Sequence, residues 1–292
     1  MLRNLQDLHG YAIRATDGMI GHVKDTYFDD HNWAVRYFVV ETGSWLSSRK
    51  VLISLFAIGK PNWAERVLPV SITQEQVRGS PDIDTDKPVS RQHEMQYLDY
   101  YRLPYYWGGT GLWAGAAYPG AMLTGLGYEG SGSDYLLAQA NNARAAKAAE
   151  ERRQDENDPY LRSCNALLKY QIEATDGGIG HVKGLLVDEE TWAVRYMVVE
   201  TGSWWLGHQV LIAPQWIREV RWSDEAVVVS LTRQAVKAAP AYDPLLPLNR
   251  EHETDLYRHH GRAGYWADEV RLQNPETHAV RSAAPGAIHK NT

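Results

Sequence analysis

One unit, written twice, sets the terms for any fold this chain can adopt. The run from Tyr11 to Lys24 returns from Tyr170 to Lys183, with Ala-Thr-Asp-Gly and Ile-Gly-His-Val-Lys kept in both. The run from Trp33 to Trp45 returns from Trp192 to Trp204 with a single change, Phe38 against Met197. Val51 to Ile53 matches Val210 to Ile212, Arg91, His93 and Glu94 match Arg250, His252 and Glu253, and Tyr106-Trp107 matches Tyr265-Trp266. The offset stays at 159 residues from Tyr11 to Trp107 without a gap, and roughly 40% of positions are identical. A period this long is no solenoid repeat; it is about one small domain, so the chain reads as a tandem duplication.

Each copy reads as short strands. Asp17-Gly18 and Asp176-Gly177 are hairpin turns, because glycine accepts the positive φ that tight turns demand. Strands are expected over 20–29 and 35–42, with Asp30 to Asn32 as the turn between them. Val35, Tyr37 and Val39 alternate with Arg36, Phe38 and Val40, so both faces carry apolar groups and this strand is expected to be central and covered twice. Pro69 demotes its own stretch to a sheet edge in the first copy. Thr73 and Thr232 are caps for short terminal helices, and Ser90 and Asn249 for longer ones. Five or so short strands in one small unit suggest a closed or partly closed barrel, which removes exposed edges.

Between the copies, 103–128 holds no charged residue but many glycines. Pro104 and Pro119 argue against a spanning helix, so this stretch is read as a linker, with peripheral membrane contact left open. An Ala-rich helix is expected over 134–153, and the tail of the chain, rich in Pro and Gly without periodicity, reads as disordered.

Composition narrows the function classes. Lys plus Arg is 30 against 36 acidic residues, a net charge of −6, so direct nucleic-acid binding is not expected. Cys164 is the single cysteine, which excludes an intrachain disulfide and fits a reducing, cytoplasmic setting. The first residues show no secretory signal. His22 and His181 are matched, but no second ligand stands at zinc-like spacing, and His93-Glu94 and His252-Glu253 lack the two-histidine spacing of a metalloprotease. His259-His260 is unmatched and offers at most a weak metal site. Lys24 with Glu41, Lys183 with Glu200, and the arginines Arg36 and Arg195 are candidates for cross-strand ion pairs. No catalytic residue, cofactor site or metal site is assigned, and no enzyme is expected. The aromatic residues Trp45, Trp204, Trp205, Tyr106, Trp107, Tyr265 and Trp266 are the candidate partner-binding residues, since tryptophan and tyrosine dominate interface hot spots.

Asp-Gly-x-x-Ile-Gly-x-Val-Lys, a polar turn, Val-Arg-Tyr-x-Val-Val and Val-Leu-Ile, in that order and twice over, resemble the PRC-barrel family. That family includes a cytoplasmic domain of the photosynthetic reaction-centre H subunit and a domain of the ribosome maturation factor RimM. The resemblance implies a mainly β chain: two tandem small PRC-type β-barrels, each with a short helical appendix, joined by the Gly-rich segment and the Ala-rich helix. The resemblance covers roughly 10–81 and 169–240; with the repeat and the stretches around it, barrel one with its appendix is expected at 1–107, the linker and helix at 108–160, barrel two with its appendix at 161–266 and the disordered tail at 267–292. It implies a bacterial, non-enzymatic protein-interaction module in the cytoplasm. The alternatives are a ribosome-associated assembly factor and a membrane-associated accessory protein of photosynthetic or respiratory electron transfer. The barrels are expected to pair within the chain or between two chains, and residues 1–107 to fold alone.

The turn reading has a direct test. Gly177→Val is expected to destabilise the chain by about 1–3 kcal/mol in denaturant titration, because a β-branched residue tolerates the turn conformation poorly. An unchanged midpoint would refute the turn.

Overall fold

A computed structural model describes residues 1–81, 89–109, 111–114, 116, 118, 119, 121, 140–148, 161–202 and 208–267. The first half runs β1 (Leu2–Asn4), β2 (Ala12–Arg14), β3 (Met19–Asp29), β4 (Ala34–Thr42), β5 (Lys50–Ser54), β6 (Val67–Pro69), α1 (Gln74–Arg78) and α2 (Arg91–Tyr101). The second repeats it as β7 (Leu161–Ser163), α3 (Cys164–Leu167), β8 (Gln171–Ala174), β9 (Gly177–Asp188), β10 (Val194–Thr201), β11 (Gln209–Ile212), β12 (Ile217–Arg221), β13 (Ala226–Val229), α4 (Arg233–Lys237) and α5 (Arg250–His259). Residues 140–148 are helical, within the stretch expected to be Ala-rich helix. The tail from 268 lies outside the described residues, as does most of the uncharged segment after Ala121.

The chain is mainly β, in two mixed sheets, and neither closes into a barrel. One has the order β5-β4-β3-β2-β6, the other β11-β10-β9-β8-β13-β12. The last strand of each half pairs in parallel with the first hairpin strand, β6 with β2 and β13 with β8. The expected closure fails for a physical reason. β3 is eleven residues long, and register shifts bend it after Val23 and after Tyr27. Its first part pairs with β2, and its last three residues pair with β7, which belongs to the other half. The exchange is reciprocal: β1 pairs with β9, Leu2 facing Asp188, as Leu161 faces Asp29. The ends of β3 and β9 are thus paired by trading arms rather than by closing a barrel, while β5, β6, β11 and β12 stay at the sheet edges.

The arms surround a local two-fold relation. Ala34 bridges Ala193, its own counterpart. Val35 N donates to Trp192 O at 2.9 Å, and Val194 N donates to Trp33 O at 2.7 Å. Trp33 and Trp192 hold φ of 50° and 58°, a left-handed conformation uncommon for bulky residues, which turns their carbonyls across the junction. Arg3 pairs with Glu189 at 2.6 Å, and Arg162 with Asp30 at 2.9 Å. Each of these arginines also lies over a tryptophan of its own half, Arg3 on Trp63 at 4.0 Å and Arg162 on Trp222 at 4.3 Å. Buried side chains from both halves form one hydrophobic cluster. The two units therefore pack as an isologous dimer does, inside one chain.

The repeated motif has local reasons. A Cβ on Gly21 would stand 1.9 Å from Glu41 O, and one on Gly180 2.0 Å from Glu200 O, so the Ile-Gly pair allows β3 and β9 to cross their neighbours closely. Gly177 holds φ of 132°, as the turn requires, while Gly18 at 159° is nearly extended. Asp17 and Asp176 have a second role: their Oδ1 atoms accept from Gln74 N at 2.8 Å and Arg233 N at 2.7 Å, tying each hairpin to the start of a terminal helix. Thr73, Thr232, Ser90 and Asn249 all cap as expected. Pro69 lies on the edge strand β6, where copy one makes isolated bridges Ile58–Val70 and Asn62–Val67 and copy two has the β12–β13 ladder, with a register shift between Ile217 and Glu219.

β4 is buried on both faces. Tyr37 meets Tyr97 of α2 edge-on at 5.3 Å, and Phe38 meets Trp192 of the other half at 5.5 Å. The appendix helix covers one face and the second copy covers the other. A chain cut by a protease site placed within 122–139 is therefore expected to co-elute as one species with the mass of the intact chain. Separation of the fragments without denaturant would contradict the exchange.

Candidate functional site

Around α2 the first half buries a polar cluster. Ser90 caps the helix, and the three-residue spacing puts Arg91 and Glu94 on one face, 2.8 Å apart. Glu94 also accepts from the Tyr37 hydroxyl at 3.0 Å, and Arg91 donates to the Tyr106 hydroxyl at 2.7 Å and lies over Trp107 at 3.9 Å. Arg36, only 1% exposed, reaches Asp29 at 3.3 Å and stacks between Tyr106 at 3.7 Å and Trp113 at 4.5 Å. Its guanidinium also donates to Leu112 O at 2.6 Å. Burial pushes the Glu94 carboxyl up despite Arg91 beside it. Burial pushes against Asp29 too, but there the Arg36 charge and hydrogen bonds from Asn32 and His31 win, and the carboxyl sits below its usual value.

The second half repeats the cluster with a different cover. Glu253 accepts from Tyr196 at 2.8 Å and Tyr265 at 2.9 Å and pairs with Arg250 at 3.2 Å. Arg195 lies over Tyr265 at 4.0 Å and Arg250 over Trp266 at 4.3 Å. Yet the Arg250 side chain is 54% exposed against 6% for Arg91. In the first half, Trp113 lies on Phe56 at 5.2 Å and closes the cluster from outside; Gln215, at the Phe56 position, is exposed.

A groove of about 1050 Å³ opens where the halves meet, lined by Leu55, Phe56, Ile58, Trp63, Tyr118 and Trp192 among others. Lys60, Glu189 and Glu190 supply the charged side chains among its lining residues. Its walls are mostly apolar with a few polar groups at the rim, the general form of a binding surface.

The aromatic candidates divide. Trp45 is half-buried and donates its indole N–H to Ile20 O at 2.8 Å, so it is committed inside its own half. Tyr106 is buried and Trp107 half-buried under Arg91 and Trp113's segment, which removes them as free anchors. Tyr265 and Trp266 are half-buried at the surface. Trp204 and Trp205 lie outside the described residues. Lys24–Glu41 at 2.9 Å and Lys183–Glu200 at 3.4 Å are the cross-strand pairs expected, and His181 joins the latter at 3.2 Å. Arg36 makes its cross-strand pair with Asp29 of β3, buried rather than exposed, and Arg36 and Arg195 also lie in the aromatic clusters. Asp29, Asp30 and His31 stand close enough to share an ion. Asp29 is already held by Arg36, and Asp30 by Arg162, so cationic side chains occupy the carboxylates a metal would need. The sequence signal for the clusters was the co-repetition of Val-Arg-Tyr, Arg-x-His-Glu and Tyr-Trp, three motifs that meet in space.

Among the described residues no helix is long and apolar enough to cross a membrane. His260 stacks on Trp216 at 4.7 Å. Burial, then the charges of His259 and Arg262, lower its pKa from 6.5 to about 4. A depressed folded pKa gives stability that is present above pH 6.5 and lost as pH falls toward 4. His260→Tyr, which installs the residue found at the matching Tyr101, is expected to flatten that limb in thermal melts at pH 7, 5.5 and 4; equal slopes would exclude it. The comparisons with known proteins bring no family: no family model and no curated protein matches the chain.

Proposed function

We propose that this chain is a non-enzymatic docking protein made of two PRC-type units locked together as one scaffold. The observation that carries the reading is the groove at the junction, where Ile58, Trp63 and Tyr118 are partly exposed above a buried floor that includes Phe56 and Trp192. Such a surface gives a partner apolar area to bury, and tryptophan supplies much of the binding energy at interfaces of this kind. The repeated Asp-Gly, Ile-Gly and Val-Arg-Tyr motifs support the PRC-type assignment, each copy supplying the same turn, crossing and central strand. Reciprocal arms support the scaffold role, since they hold both walls of the groove in one arrangement. We place the protein in the cytoplasm, where the buried thiol of Cys164 stays reduced.

Photo-crosslinking tests this reading. Benzoylphenylalanine at Trp63 is expected to trap one defined polypeptide in cells, and the same probe at exposed Glu65 to trap none. Absence of any adduct at Trp63, or identical patterns at both positions, would overturn the groove as a docking surface.

A further inference from the structure

The loop that leads into α5 holds two leucines in water. Leu245 is 88% exposed and Leu246 60%, and among the described large apolar side chains only Met1 is comparably bare. The tip that carries them is held firmly. On one side Tyr242 N donates to Gln209 O of β11 at 2.7 Å, and on the other Leu248 packs against the hydrophobic core. Between these anchors Asp243 Oδ1 accepts from Leu245 N at 2.9 Å and Asp243 O accepts from Leu246 N at 3.2 Å. Aspartate followed by proline suits the first two positions of such a turn, and Pro244 and Pro247 bracket the two leucines. The tip therefore has little conformational freedom left to lose on binding. The 159-residue offset places Asp86 and Lys87 at the same positions of the first half, so the apolar pair belongs to the second half alone. Exposed apolar side chains on a fixed turn are an anchor for a partner's pocket.

A pocket of matching chemistry lies on the same molecule. In the junction groove Ile58, Trp63 and Tyr118 stand partly exposed, with exposed Lys60 on the wall from the first half and exposed Glu190 on the wall from the second. The loop offers the opposite charges on either side of its leucines: Asp243 precedes them, and Arg250, with a side chain 54% exposed, follows them. One orientation sets the carboxylate beside Lys60 and the guanidinium beside Glu190, whereas the reverse orientation sets like charges together. The chain does not fill its own groove with this loop, since the leucines stand in solvent while Tyr242 is bonded to β11. We infer that the groove accepts the Leu245–Leu246 tip of a second molecule of this chain. This inference rests on the docking reading and names the partner. A tip of two leucines buries little area, so the contact belongs to the weak, reversible class and the chain is single when dilute. Tip and groove are different patches, so two molecules either exchange tips or leave one of each open to a further molecule.

Sedimentation velocity of the purified full chain tests the contact. The mean mass is expected to rise with concentration above that of one chain. Leu245→Asp combined with Leu246→Asp is expected to weaken the association about tenfold or more, and Ile58→Glu to do the same from the groove side. Lys60→Glu, at an exposed position, repeats the groove test should Ile58→Glu lower the melting temperature. The tip variant and the groove variant each keep the side that the other lacks, so an equal mixture is expected to recover a one-to-one complex, which a folding defect would not allow. A chain that stays single at every concentration, association indifferent to the tip substitutions, or a mixture that recovers nothing overturns the inference. In the purified chain, benzoylphenylalanine at Trp63 is expected to join a peptide that contains Leu245; an adduct elsewhere on the chain also overturns it. A single chain in solution together with a Trp63 adduct to a different protein in cells refutes this inference and leaves the docking reading standing, while a single chain with no adduct refutes both.

Discussion

Two backbone hydrogen bonds hold the centre of this molecule, Val35 N to Trp192 O and Val194 N to Trp33 O. They cross a local two-fold relation on which nearly everything else depends. The strained tryptophans aim the carbonyls, the Ala34–Ala193 bridge leaves room for the strands to approach, and the ends of β3 and β9 are left to receive an arm from the opposite half. Buried backbone groups left without a partner are costly, so the arms are part of the fold rather than trimming on it. Arg3 and Arg162 fix the arms in place by combining an ion pair across the junction with a cation–π contact in their own half.

Duplication lets one framework serve two ends. The Glu94 and Glu253 clusters use the same residue types at the same offset, and each ties its appendix helix to its central strand through a tyrosine hydroxyl. The difference lies in the cover. The first copy buries its arginines under Trp113, which makes that cluster part of the core; the second leaves Arg250 in solvent. A buried charge must be fully paired, and Arg91 meets that demand with Glu94, Tyr106 and Trp107, while Arg250 retains water as a further partner.

Much of this was legible in the residues. The repeat offset gave the two-unit architecture, the caps fell on Thr73, Thr232, Ser90 and Asn249, and the two-faced apolar pattern of 35–40 announced a strand covered on both sides. The arms were not legible, because Leu2–Asn4 and Leu161–Ser163 are three residues each, too short for any period, and their pairing is a long-range choice. The barrel expectation failed for the same reason: counting strands within one copy cannot reveal an edge satisfied by the other. The burial of the Arg36–Asp29 pair was not legible, because alternation assigns a face but not what covers it, and the cover came from Leu112 and Trp113 in a stretch that resembled a linker. Trp45 looked like a surface anchor, yet its indole N–H found a carbonyl within its own half.

The exchanged arms also set a clock. The last residues of β3 are made early, but the strand that pairs with them, beginning at Leu161, follows 132 residues after Asp29. The large core side chains of the first half are complete only at Trp113, 48 residues before Leu161, so at the usual pace of translation the finished half keeps an unpaired edge at Tyr27 to Asp29 for roughly 2–10 s. Helices and hairpins form in microseconds, so the first half waits, nearly complete, for a piece of the second. In a polysome many such halves wait side by side, each able to accept an arm from a neighbouring chain. Covalent fusion of the two copies keeps the correct arm tethered and therefore at high local concentration when it emerges, which favours the intramolecular product over a mixed one.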